Sequence, residues 1–315
     1  MLATDRSTRS YIVSGVRSLT SLVLGAAGFI GGRVLEHLKA DKEDIVACDV
    51  VRSNLSGDAA AWMTADILDP LSLQRFFYDY DVQCVLHLIG LPSIEQCQKS
   101  PDLSFRLNVL SLQSTLEAMR KADVNKIVFI SSAAAYGYSS QTPVKETDPL
   151  RPSTVYGYHK MVGEHLVRSY GESYGLKYVV LRLFNVYGGD PATGKDVISI
   201  LIKKARSKEP LVIKGGNKFR DFVHVDDVAE AISRVAFSHA PDNRVFNVGT
   251  GMKTTLSEVA NIVRESFSVA KAVIEDSADD GTGIVADLTQ LSQILNFDPV
   301  PAIQGIRNHV QSHAR

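Results

Sequence analysis

Cysteine is scarce in this chain, tryptophan is nearly absent, and neither sign of charge prevails. There are 3 cysteines in 315 residues, Cys48, Cys84 and Cys97. Cys48 and Cys84 lie in apolar, strand-like runs, and no metal-ligand spacing occurs. That excludes a disulfide framework and a zinc module, and points to buried thiols in a reducing compartment. The net charge is -1, so no global field favours nucleic acid or an anionic membrane surface as a partner. Apolar runs such as 127–130 and 178–183 are strand-sized and far too short to span a bilayer. Internal repeats and low-complexity stretches are lacking too. Residues 1–18 carry Arg6, Arg9 and Arg17 among serines and threonines. They read as a disordered N-terminal extension or a start-site artefact, with a transit peptide as the alternative. What is present, 45% hydrophobic and 22% charged residues, is ample for a buried core in one large or two smaller domains.

Strand-like runs at 19–24, 44–50, 62–65, 83–89, 126–131 and 177–183 alternate with helical stretches at 33–39, 70–80, 102–122 and 154–170. Continuous apolar strands alternating with helices predict an α/β fold, a doubly wound parallel sheet covered on both faces. After Asn185 the rhythm changes. A loop at 188–194, a helix at 197–206 and a short strand at 211–213 follow. Strands at 220–225 and 244–248 flank a helix at 225–237, and helices recur near 256–266, 287–295 and 303–310. These pieces predict a smaller α/β lobe over the C-terminal edge of the sheet.

The first strand runs into Gly25-Ala26-Ala27-Gly28-Phe29-Ile30-Gly31-Gly32 and then a helix. Gly25 permits a tight turn, Gly28 lets backbone approach a pyrophosphate, and Gly31 permits close helix packing. The spacing is GxxGxxG, which gains its meaning from context. Asp49 supplies that context, at a strand end roughly 20 residues on. A carboxylate there suits a ribose 2′-hydroxyl and repels a 2′-phosphate, so NAD is favoured. Arg52, three residues later, keeps NADP open.

Tyr156 and Lys160 stand four apart on a predicted helix capped by Ser153 or Thr154, and so share one face. Free tyrosine ionises near pH ~10, so turning a phenol into a proton carrier near neutrality takes roughly 4 kcal/mol from neighbouring positive charge. One ammonium and a cationic cofactor would supply it. An ordinary helix surface can also carry this pair, so its meaning rests on the rest of the chain.

Further segments complete a pattern. They are Asp66-Ile67, His87-Leu88-Ile89-Gly90-Leu91, Asn108, Ile130-Ser131-Ser132-Ala133-Ala134-Ala135-Tyr136-Gly137, Leu181-Arg182-Leu183-Phe184-Asn185-Val186-Tyr187-Gly188, Arg220-Asp221-Phe222-Val223-His224 and Phe246-Asn247-Val248-Gly249. From about residue 19 to about residue 300 the chain resembles the extended short-chain dehydrogenases/reductases, of the NAD-dependent sugar-nucleotide epimerase/dehydratase type. The resemblance implies a Rossmann-type domain at 19–184 and 224–250 with a substrate lobe at 185–223 and 251–315. It implies a catalytic Ser132, Tyr156 and Lys160, with Ser132 preferred over Ser131. The NAD-binding set it implies is Gly25, Gly28, Phe29, Ile30, Gly31, Asp49, Asp66, Ile67, Leu88, Ile89, Gly90, Asn108, Tyr156, Lys160 and Phe184. The substrate set is Ser132, Tyr156, Asn185 and Arg220, with Asn185 on a phosphate and Arg220 on a nucleotide diphosphate. His87 and His224 read as structural, and no metal is implied.

The implied activity is epimerisation of a nucleotide-activated sugar at C4, through a transient 4-keto intermediate and a cofactor that stays bound. A nucleotide-sugar ketoreductase using the same triad remains an alternative. So does a non-catalytic dinucleotide-binding protein, although an intact triad argues against it. Ala133-Ala134 stand where dehydratases carry an Asp-Glu pair, which argues against a 4,6-dehydratase. Pro92 stands where a Lys can approach the cofactor phosphates. Ser277 stands where many relatives carry a second diphosphate-binding Arg. That leaves Arg220 as the main cation, with Lys218 or Lys253 as substitutes. The family also implies a cytoplasmic homodimer that pairs the helices at 102–122 and 154–170, with no membrane or nucleic-acid partner.

Overall fold

Successive side chains of a strand point to opposite faces, and here both faces meet helices. In β1 (Thr20–Leu24), Leu22 and Leu24 enter one apolar core while Val23 enters the other. The computed structural model describes residues 20–40, 44–52, 61–137, 142–194, 196–237, 242–267, 272–275 and 281–314. After β1 come α1 (Phe29–Ala40), β2 (Ile45–Asp49), β3 (Ala61–Thr64), α2 (Pro70–Asp79) and β4 (Val82–His87). Next are α3 (Ile94–Lys99), α4 (Pro101–Phe105), a π-helical turn (Arg106–Leu110), α5 (Ser111–Lys121) and β5 (Lys126–Ser132). Then follow α6 (Val155–Tyr174) and β6 (Lys177–Leu183).

The central sheet has seven strands in the order β3-β2-β1-β4-β5-β6 and then β11 (Arg244–Val248), all parallel. This is the expected doubly wound α/β sheet. One face packs on α1 and α8 (Val225–Phe237) through Val34, Leu35, Leu38, Val228 and Ile232. The other packs on α2, α5 and α6 through Leu73, Phe76, Leu112, Leu116 and Val167. Fully burying one such side chain contributes about 1.5–3 kcal/mol, which is why the apolar strands lie inside.

The remaining elements, α10 apart, build a second, smaller unit. They are β7 (Asn185–Tyr187), α7 (Val197–Arg206), β8 (Leu211–Lys214), β9 (Phe219–Arg220), β10 (Phe222–His224), β12 (Thr254–Thr255), α9 (Leu256–Phe267), β13 (Ala272–Glu275), α10 (Thr289–Leu295) and α11 (Ala302–Ala314). Three two-stranded pairings, β7 with β10, β8 with β13 and β9 with β12, frame it. Its core gathers Tyr187, Ile198, Ile202, Phe222, Val259 and Ile306. α10 packs differently: Leu291 and Leu295 join the core beneath α8 and β11.

Several helices differ from their expected extents: α6 runs on to Tyr174 and α11 to Ala314, and two differences bear on the site. The helix expected at 33–39 starts at Phe29, so only Gly25 to Gly28 form the turn. The helix expected at 102–122 is a succession of α4, the π turn and α5. Pro101 at the first helical position fixes its start. The extra residue of the π turn brings Asn108 toward the loop after β4, at little change to the apolar spacing.

Candidate functional site

The strand order reverses between β1 and β4, and an open α/β sheet forms its crevice at such a point. Gly25 lies there at φ +84°, and a Cβ on it would sit 3.0 Å from the carbonyl carbon of Leu88 and 3.1 Å from the Ile89 nitrogen. A Cβ on Gly31 would strike the Gly25 carbonyl oxygen. Gly28 N–H donates to that oxygen at 3.1 Å, and α1 starts one residue later. Backbone amides at a helix start carry partial positive charge and attract phosphate. Phe29 is exposed at this start, while Ile30 packs against the core.

Asp49 closes the same turn. Its Oδ2 accepts from Ala27 N at 2.9 Å and its Oδ1 from Val50 N at 2.7 Å. Asp66 is exposed, and its Oδ1 caps the next turn by accepting from Leu68 N at 2.9 Å. The Ile67 side chain is buried in the core, so only its backbone is available to a ligand. Leu88 and Ile89 are half-buried against opposite cores. A Cβ on Gly90 would stand 2.6 Å from Asn108 Oδ1 and 3.4 Å from Lys160 Nζ. A backbone cradle with no room for side chains, a helix start and a carboxylate at its lip fit a dinucleotide such as NAD.

α6 begins where Thr154 Oγ1 accepts from Gly157 N at 3.1 Å and ends at Gly175 in the left-handed region. Thr154 is therefore the cap. A Cβ on Gly157 would hit the Ala134 carbonyl oxygen, so α6 lies directly on the segment after Ser132. Ser132 hydrogen-bonds the Tyr156 phenol and accepts from Ala134 N at 3.2 Å. Lys160 is buried, donates to the Ile130 carbonyl at 2.8 Å, and lies 5.8 Å from the centre of the Tyr156 ring. The three predicted triad residues thus converge.

Burial pushes the Tyr156 phenol up to about 12, and the Ser132 hydrogen bond opposes it only in part. Burial also pulls the Lys160 ammonium down to about 8. In the protein alone burial dominates the phenol, and the depression expected from Lys160 together with a cationic cofactor does not come from Lys160 by itself. His87 is buried beside them and held near 3, by burial first and then by Lys160. A neutral ring fits its structural reading.

On the lobe side, Phe184 is buried with Ala133, Tyr136, Val144 and Ala286. Asn185 is exposed and starts the strand paired with β10. Arg220 is half-buried and donates to the Phe219 carbonyl at 2.8 Å. The neighbouring Asp221 carboxylate is buried and accepts from Thr250 N, Gly251 N and Ala286 N at 2.7–3.0 Å. Lys253 Nζ sits 4.3 Å over the Phe219 ring, one residue from the Thr254 that pairs with Arg220. Ser277 lies outside the described residues.

A buried network escaped the sequence reading. Arg182 donates to Glu164 from Nε at 3.0 Å and from Nη2 at 2.8 Å, and both residues are almost fully buried. Ser131 donates to the same carboxylate at 2.6 Å, and Arg182 Nη1 reaches the Tyr136 hydroxyl at 2.8 Å. Tyr136 donates on to Asn247 at 2.7 Å. The network clamps the strand end bearing Ser132 to the helix bearing Lys160. One signal was available, an arginine inside an apolar strand.

A family model described as "NAD dependent epimerase/dehydratase family" matches residues 21–249. A UDP-glucose 4-epimerase of Lacticaseibacillus casei is 30% identical over 304 residues, covering 89% of this chain and 92% of that one. The crystal structure of a UDP-glucose 4-epimerase of Thermotoga maritima with UDP-glucose superposes with a TM-score of 0.86 at 30% identity, covering 93% and 98%. That of a Thermus thermophilus UDP-glucose 4-epimerase, in complex with NAD, does so with a TM-score of 0.84 at 31% identity, covering 94% and 99%.

Proposed function

The chain belongs to the NAD-dependent epimerase/dehydratase family, and from that premise we propose that it interconverts the C4 epimers of a UDP-activated hexose. The observation that carries this reading is the convergence of Ser132, Tyr156 and Lys160 beside the glycine cradle. Ser132 orients the C4 hydroxyl. Tyr156 takes its proton as the ketone forms and returns it when the alcohol is restored. NAD held in the cradle would supply the hydride acceptor and donor for C4, and positive charge beside the phenol. Lys160, Gly90 and Asn108 hold that end of the cofactor, Asp49 its adenosine ribose, and the amides after Gly25 its pyrophosphate. Phe29, Ile30, Asp66, Ile67, Leu88, Ile89 and Phe184 complete the walls. Asn185 and Arg220 hold the substrate diphosphate from the lobe, and Lys253 is the second cation in place of an arginine at 277. The three buried, free thiols suit a cytoplasmic protein. Among the described residues no helix is long and apolar enough to cross a membrane.

Losing one charge-assisted contact costs about 1.5–3 kcal/mol, roughly 10- to 100-fold in affinity. Arg220→Ala therefore weakens UDP binding by that factor in calorimetry. Unchanged UDP affinity in the variant would remove Arg220 from the site, and no UDP binding by the parent protein would remove the nucleotide-sugar reading.

The proposed homodimer rests on Leu103, Phe105, Leu110 and Tyr158, exposed by 47, 41, 41 and 52% on α4, the π turn and α6. Light scattering at micromolar concentration should give twice the 34.4 kDa chain mass. A monomer there ends the proposal.

A further inference from the structure

His159 sits on α6 between Tyr156 and Lys160, yet it bonds away from them. Its Nδ1 lies 2.8 Å from the hydroxyl of Ser104 on α4, and its ring meets Phe105 edge-on at 5.6 Å. Ser104 and Asn108 are both buried. Asn108 Oδ1 accepts from Leu91 N at 3.0 Å. Its Nδ2 donates to Ser104 Oγ at 3.1 Å and to the Leu91 carbonyl at 3.3 Å.

The donor inventory fixes the Leu91 and Asn108 end of this chain. Leu91 N–H can only donate, so the Asn108 atom facing it is the oxygen. The amide nitrogen then faces Ser104 and donates to it. Ser104 has one proton left to give, and His159 Nδ1 is there to accept it. In that arrangement the imidazole is neutral, with its proton on Nε2, and the serine proton has its acceptor without turning away. A proton on Nδ1 would place two donors on Ser104 Oγ. The serine hydroxyl would then have to turn elsewhere, for instance to the Ser100 carbonyl, which already accepts from Ser104 N at 3.0 Å.

We propose that neutral His159 is a positioning residue, which locks Ser104 and Asn108 and through them the Gly90-Leu91 wall beside Lys160. The catalytic consequence rests on the reading of Lys160 and Tyr156 given above; the hydrogen-bond chain does not. The elements packed against this part of α6 bring Glu95 and Lys99 of α3, which pair with each other, with Cys97 between them. Asp102 and Arg106 flank Ser104, and Lys160 follows on α6 itself. Burial lowers the His159 pKa below the ordinary histidine value. The lock is thus complete above that ordinary value and is lost as pH falls through the depressed one.

Nitrogen-15 NMR of histidine-labelled protein tests the chain directly, with His159 assigned by its loss in His159→Asn. The expected state near neutral pH is an Nε2–H tautomer with Nδ1 accepting a hydrogen bond, a signature that Ser104→Ala removes. A proton on Nδ1, or no response to Ser104→Ala, overturns the proposal. In turnover, His159→Leu falls about fivefold, the kinetic equivalent of one neutral hydrogen bond. His159→Asn offers an acceptor near the Nδ1 position that does not titrate. It recovers most of that loss and flattens the acid limb of the pH profile. An acid limb identical to the parent's would also overturn the proposal. If the protein turns over no UDP-hexose, the function fails on its own and the NMR result still decides the lock.

Discussion

Tyr156→Phe is expected to lower UDP-hexose turnover by about 10²–10⁴-fold, the usual contribution of a positioned proton carrier, with the fold and NAD binding retained. The substitution removes one oxygen and leaves the ring that packs near Lys160. Ser132 loses its partner, but it keeps the Ala134 amide. No other described residue stands ready to replace the phenol. Ser132 is a far weaker acid, and Lys160 is anchored to the Ile130 carbonyl with Nζ 5.8 Å from the centre of the ring that carries the phenol. The effect should appear in kcat at saturating substrate, because the lost group acts on the proton and not on the diphosphate. A variant turning over at near the parent rate would show that the proton travels another way.

The second large effect concerns stability. Arg182→Met leaves the Glu164 carboxylate buried with Ser131 as its near partner and Arg168 at 3.6 Å. Removing one partner of a buried ion pair costs about 3–5 kcal/mol, since the remaining charge is left uncompensated. The melting temperature should fall by roughly 5–15 °C. Combining Arg182→Met with Glu164→Gln should restore part of the loss, because both charges leave together. If the single variant melts within a degree or two of the parent, the pair is not the clamp described. If the double variant loses the sum of the two singles, the residues are uncoupled and the clamp is again wrong.

The sheet was legible in the sequence because its inner strands are apolar runs that alternate, for the most part, with helical stretches, and such runs suit a sheet buried on both faces. The cradle was legible for a related reason. Gly25 and Gly31 occupy positions where backbone meets backbone, so the requirement is written in the residue itself. Asp49 sits at a strand end, and that end follows from the strand.

What stayed hidden depends on distance in three dimensions. Arg182 is a charge in an apolar strand, a signal the reading passed over, and nothing along the chain pairs it with Glu164. The π turn that delivers Asn108 alters the helical register by one residue, too little to disturb a hydrophobic pattern with a period of 3.6. β9 and β12 are two residues each, too short for any alternation to register. The Tyr156 phenol was expected to respond to Lys160, four residues away. Its pKa answers first to burial, which no helical spacing predicts.

The most direct test of the central claim is proton NMR of UDP-glucose incubated with the purified protein and no added cofactor. The account predicts that UDP-galactose appears until the two C4 epimers reach equilibrium, over many turnovers per protein chain, because hydride is taken and returned within one site. No epimer formed by protein shown to carry NAD, or product formed only while fresh dinucleotide is consumed, would contradict it.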